Sequence, residues 1–155
     1  MRALLLVLLV ACAAPPPRVH VQVIAAEREQ GYLDGANAWY EFGARASWDA
    51  SELPECAHVL DVDCQITVNI ERIDLGFDAG ADRAGRRVVI HPRFVNYYAL
   101  LYLATHEFGH ILLDTPEHTP DGVRAVMARR GAEWSLQPAD YELACRVTGI
   151  CPEKK

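Results

Sequence analysis

Residues 94–113 read FVNYYALLYLATHEFGHILL. Apolar and aromatic side chains cover every face of a helix drawn through them, and no formal charge falls between Arg93 and Glu107. A helix that is apolar all round is normally buried. The segment makes a poor bilayer span, because Thr105, His106, Glu107 and His110 would crowd one end of a stretch that is already short. It is therefore expected as the inner helix of a folded domain, with the His and Glu cluster as its polar interruption.

Working outward, the periodicity changes. Residues 19–24 (VHVQVI) alternate with period two and are rich in β-branched side chains, so they predict a first strand. Residues 25–42 carry Tyr32, Leu33, Ala36, Trp39, Tyr40 and Phe42 in an approximate helical stripe, which predicts one long helix. Residues 47–63 hold Pro54 and many acids and read as a loop. Alternation resumes over 65–74, a Gly- and Asp-rich turn spans 76–85, and residues 87–91 form a short strand ended by Pro92. A last helix is predicted over 136–147, with Ser135 or Gln137 near its start and Gly149 just beyond its end. Strands and helices in this order predict an α+β domain.

Composition bounds this reading without deciding it. At 155 residues the protein suits one domain, and 51% hydrophobic with 23% charged residues are ordinary globular values. A formal charge of −6 with dispersed acids argues against a nucleic-acid partner, which would need clustered Lys and Arg.

The N-terminus has the layout of an export signal: Met1 and Arg2, an apolar run over 3–10, then Ala11-Cys12-Ala13-Ala14 and three prolines. Leu9-Val10-Ala11-Cys12 resembles the bacterial lipobox, which implies cleavage before Cys12, acylation of that cysteine, and a membrane partner through a lipid anchor. The expected division is 1–11 signal, 12–18 tether and 19–155 folded domain. The expected location is the cell envelope, as an outer-membrane lipoprotein or a periplasmic or secreted protein. The remaining four cysteines suit two disulfides in that setting. Of three connectivities, Cys56 with Cys64 and Cys145 with Cys151 is the expectation.

His106 and His110 lie four residues apart, so on a helix both side chains reach one ion. Glu107 follows the first ligand and can take a proton from a water at the metal without ligating it. With six His in the sequence, a chance His-Glu-x-x-His is expected on the order of 2% of the time. Zinc suits these ligands but needs a third, and His118 is the leading candidate; Asp114, Glu117, Glu133 and Glu142 compete.

Residues 106–127, HEFGHILLDTPEHTPDGVRAVM, resemble the active-site stretch of the metzincin metallopeptidases, the matrixin-like branch in particular. That resemblance implies a metzincin-like fold: a small mixed twisted sheet with a backing helix, an active-site helix and a C-terminal helix. It also implies a zinc peptidase acting on polypeptides, with His106, His110 and His118 as ligands, Glu107 as general base, and Met127 in a Met-turn beneath the metal. Residues 135–143 are similar to the opening of the matrixin C-terminal helix. Two departures stand out: the family's glycine falls on Leu113, and its third histidine falls on Pro116, two residues before His118. The turn-prone Asp114-Thr115-Pro116-Glu117 is expected to make the longer detour. A non-catalytic zinc-binding envelope lipoprotein of this fold, or a gluzincin-like peptidase with a glutamate ligand, are the alternatives.

Other signals read as structural. Asp74, Asp78 and Asp82 share a loop where matrixins often hold calcium, but their spacing fits a solvated turn better. Tyr32, Trp39, Tyr40, Tyr97 and Tyr98 fall at helical spacings and are expected in the core.

Overall fold

The computed structural model describes residues 18–59, 61–129 and 133–151. The expected signal, the tether up to residue 17, and Cys12 lie outside these residues.

The domain is α+β, with five strands in one mixed sheet. β1 (Val19–Ala25) lies between β2 (Ala44–Ser47) and β3 (Cys64–Arg72), and is parallel to both. β5 (Arg87–Ile90) runs parallel beside β3, and β4 (Ala79–Asp82) closes the edge antiparallel to β5, giving the order β2-β1-β3-β5-β4. The alternation in β1 and β3 places Val19, Val21, Val23, Ile66, Val68 and Ile70 in the core.

Against them lies α2 (Tyr97–Leu112), which contributes Leu100, Ala104, Phe108 and Ile111, all fully buried. Its start is capped by Asn96, whose side chain accepts from the Ala99 N–H at 2.9 Å. α1 (Gln30–Asn37) crosses α2 closely. A Cβ at Gly35 would sit 2.6 Å from Ala104 Cβ, so only hydrogen fits there, and one at Gly31 would sit a tight 3.0 Å from Leu100 Cβ.

The expected helix over 25–42 is shorter than its stripe suggested. α1 stops at Asn37, whose side-chain amide pairs with both backbone groups of Ala46. A 3₁₀ turn at Tyr40–Phe42 follows, and Gly43 at φ +91° turns the backbone into β2. β2 falls where no element was expected, between the helix ending at 42 and the loop beginning at 47, and β4 falls within the turn expected over 76–85. Their sequences, ARAS and AGAD, lack β-branched residues, and it is pairing with β1 and β5 that makes them strands. The two local disulfides are present, Cys56–Cys64 and Cys145–Cys151. They fit an oxidising compartment. α3 (Pro138–Thr148) begins after Gln137 and ends at Gly149, close to the expected bounds. Among the described residues no helix is long and apolar enough to cross a membrane.

The aromatic expectation divides. Tyr32 and Trp39 are buried and Tyr40 is half-buried, but Tyr97 and Tyr98 stand exposed at the start of α2.

Candidate metal centre

The second half of α2 carries its polar residues into the interior. His106, Glu107 and His110 are each no more than 9% exposed. The His106 Nδ1–H donates to the Val126 carbonyl at 2.6 Å, and the His110 Nδ1–H donates to the Thr115 carbonyl at 2.8 Å. A carbonyl only accepts, so the proton of each neutral ring is fixed on Nδ1 and the Nε2 lone pair is turned inward.

Those two Nε2 atoms are 3.2 Å apart. Two lone pairs at that distance cannot bond to each other, whereas a cation between them could be shared. Burial pushes His106 down from its ordinary pKa and His110 down to about 4, so a proton is disfavoured in that role. His118 completes the group. The candidate ligand atoms of His106, His110 and His118 all lie within 4.8 Å of one another. The donor set, its tautomers and its burial together fit a metal ion held by three imidazoles.

The route to His118 explains the departure at Leu113. Leu113 ends the helix, and Asp114 takes the left-handed conformation at φ +46°. The Asp114 N–H donates to the Ile111 carbonyl and the Thr115 N–H to the His110 carbonyl, the bond pair of a Schellman turn. Aspartate tolerates this backbone better than most residues that carry a Cβ. Arg83 holds the turn from outside, its Nη1 donating to both the Asp114 carbonyl and Oδ1. Arg146 of α3 pairs with Glu117 at 2.8 Å, and the Thr119 N–H donates to the Met127 carbonyl at 3.0 Å. His118 is thus fixed on both sides.

Beneath the histidines Met127 is fully buried, and its sulfur occupies the space that a Cβ at Gly109 would need. The backbone of Val126 and Met127 is clamped by Asp140 of α3. One carboxylate oxygen accepts from the Met127 N–H at 2.8 Å, and the other accepts from Val126 at 2.9 Å and Gln137 at 2.8 Å. Asp140 therefore fixes the very carbonyl that orients His106. Trp39 supports the other side, its indole N–H donating to the Thr105 carbonyl at 2.8 Å.

A cavity of about 460 Å³ opens over the three histidines. Glu107 faces it, and burial raises its carboxyl to about 7. Tyr102 lines the same cavity one turn before His106. The competing third ligands are placed elsewhere: Asp114 faces Arg83, Glu117 faces Arg146, Glu133 faces Arg124, and Glu142 is exposed on α3. The three loop aspartates are also engaged, Asp74 with His91, Asp78 with Arg93, and Asp82 with Arg87 and the Gly85 N–H.

Asp140, Trp39, Arg83, Tyr102 and the fit at Gly109 escaped the sequence reading. Asp140 alone had a signal, as the third residue of a helix capped by Gln137, where a carboxylate reaches back to free N–H groups. No family model and no curated protein matches the sequence, so its chemistry is read from this geometry.

Proposed function

We propose that the protein is a zinc-dependent endopeptidase of metzincin-like, matrixin-type organisation, exported to an oxidising compartment. The observation that carries this reading is a buried Glu107 beside three convergent imidazoles in an open cavity. A metal scaffold alone needs no such carboxylate, and leaving it uncompensated has a cost in folding.

When bound, zinc supplies a Lewis acid for the scissile carbonyl and an acidified water. His106, His110 and His118 would hold it. Glu107, with a carboxyl raised to about 7, accepts a proton from the attacking water and returns it to the leaving amine. The edge strand β4 supports a polypeptide substrate. Ala79, Gly80 and Ala81 line the cavity, and β5 occupies only one side of β4, so an extended peptide can add along the other. Small side chains there let a backbone approach.

The test is metal content and cleavage together. Purified protein is expected to hold about one zinc and to cut an unfolded protein. Glu107→Ala should abolish cleavage with zinc retained. Unchanged cleavage in that variant would sink the peptidase reading, and zinc without any cleavage by the wild type would leave a metal-binding module.

A further inference from the structure

The charged side chains around the metal cavity are unevenly satisfied. Asp78 is ion-paired with Arg93, and Arg83 is ion-paired with Asp114 at 3.0 Å. Glu107 belongs to the proton-transfer chemistry. Arg129 lines the cavity on the side of His118, is exposed, and has no ion-pair partner among the described residues.

On its N-terminal side Arg129 follows a held stretch of backbone. Met127, two residues before it, is held by Asp140, and Ala128 is buried. A guanidinium is a fixed fork of donors with no acceptor, and it matches a carboxylate better than any neutral group. Closeness to a bound dication would add to the local positive field, since three neutral imidazoles cancel none of its charge.

We propose that Arg129 is a specificity-determining residue that receives a substrate carboxylate beside the metal, so that the protein prefers acidic polypeptide segments or free polypeptide C-termini. Both sources present the same group to the same fork. The inference rests on the peptidase reading for the identity of the ligand as a polypeptide, but it is tested by binding, not turnover.

Zinc-loaded Glu107→Gln protein is titrated with three hexapeptides of otherwise identical sequence. One is blocked at both ends and carries a single glutamate, one is its blocked glutamine twin, and one is the glutamine twin with a free C-terminal carboxylate. A carboxylate peptide is expected to bind about fivefold tighter than the neutral twin, the upper end for a solvent-facing ion pair. Adding Arg129→Gln should remove that preference while zinc content stays the same. Raised salt should shrink it. Tighter binding of the glutamate peptide assigns the site to acidic side chains; tighter binding of the free C-terminus assigns it to polypeptide ends. Equal affinity of all three, a preference that survives Arg129→Gln, or no measurable binding of any overturns the proposal. Failure of the peptidase reading shows differently, as absence of cleavage by the wild type whatever these affinities are.

Discussion

Two clusters of metal-capable side chains lie in this domain, and they differ in what surrounds them. Asp74, Asp78 and Asp82 sit in and around β4, exposed, with Asp78 and Asp82 paired to arginines and Asp74 against the His91 ring. His106, His110 and His118 converge, and the two buried rings spend their Nδ1 protons on backbone carbonyls, which leaves their Nε2 lone pairs facing one another. Each carboxylate of the first cluster already has a partner in the fold. The second cluster is one that a metal ion could complete. Spacing along the sequence already favours the second; burial and the state of neighbouring charges separate the two further.

The sharpest break of this contrast is to remove one member of each cluster. His118→Ala is expected to lower zinc affinity by more than the roughly tenfold to hundredfold lost when only a group behind a ligand is changed. Asp82→Asn should leave zinc content where it was. Competition with a chromophoric chelator reads both, and a loss in Asp82→Asn equal to that in His118→Ala would erase the distinction.

Asp140 tests how far completeness extends behind the ligands. Asp140→Asn keeps the shape but exchanges one acceptor for a donor facing backbone N–H groups. Zinc affinity is expected to fall by about tenfold to hundredfold through the loosened Val126 carbonyl and His106. The variant should also melt earlier without metal, because the buried N–H groups of Val126 or Met127 lose a charged acceptor. Unaltered zinc affinity in a folded variant would confine Asp140 to holding α3.

A smaller effect comes from pH. In the metal-free protein, burial raises Glu107 from its ordinary 4.5 to about 7. A carboxyl raised by folding favours the folded state in its protonated form, fully below pH 4.5. That contribution is lost as pH rises towards 7. Gln is neutral throughout, so the stability advantage of Glu107→Gln should be absent below pH 4.5, grow between 4.5 and 7, and level at on the order of 3 kcal/mol. Denaturant titrations at several pH values check this; parallel curves would mean that Glu107 reaches water freely.

The contrast also explains what could be read from the sequence. The all-round apolar helix and the four-residue spacing of His106 and His110 are local properties, and both were legible. Alternation in β1 and β3 was legible because one face of each strand is buried. β2 and β4 were not, since ARAS and AGAD carry no strand preference and exist through partners distant in sequence. The same holds at the site. Asp140, Trp39 and Arg83 act on the segments that carry the candidate metal ligands from other elements, across separations that no motif spans. Tyr97 and Tyr98 fit the helical stripe yet point to solvent, because periodicity marks a face without saying whether anything covers it.

The turn after α2 offers the smallest and most discriminating effect. Asp114 adopts a left-handed backbone that glycine takes without strain, and it contributes a side-chain bond to Arg83 that glycine cannot make. These terms oppose each other. The ion pair is largely exposed and worth at most about 1 kcal/mol, while relief of a left-handed residue is about 1 kcal/mol in the other direction. Asp114→Gly is therefore expected to change stability by less than about 1 kcal/mol and to keep zinc. Asp114→Val keeps a Cβ, adds β-branching and loses the pair, so it should be clearly less stable and bind zinc more weakly as His118 shifts. If Gly and Val behaved alike, the left-handed residue would not be what delivers His118, and the Arg83 bond would carry the turn instead.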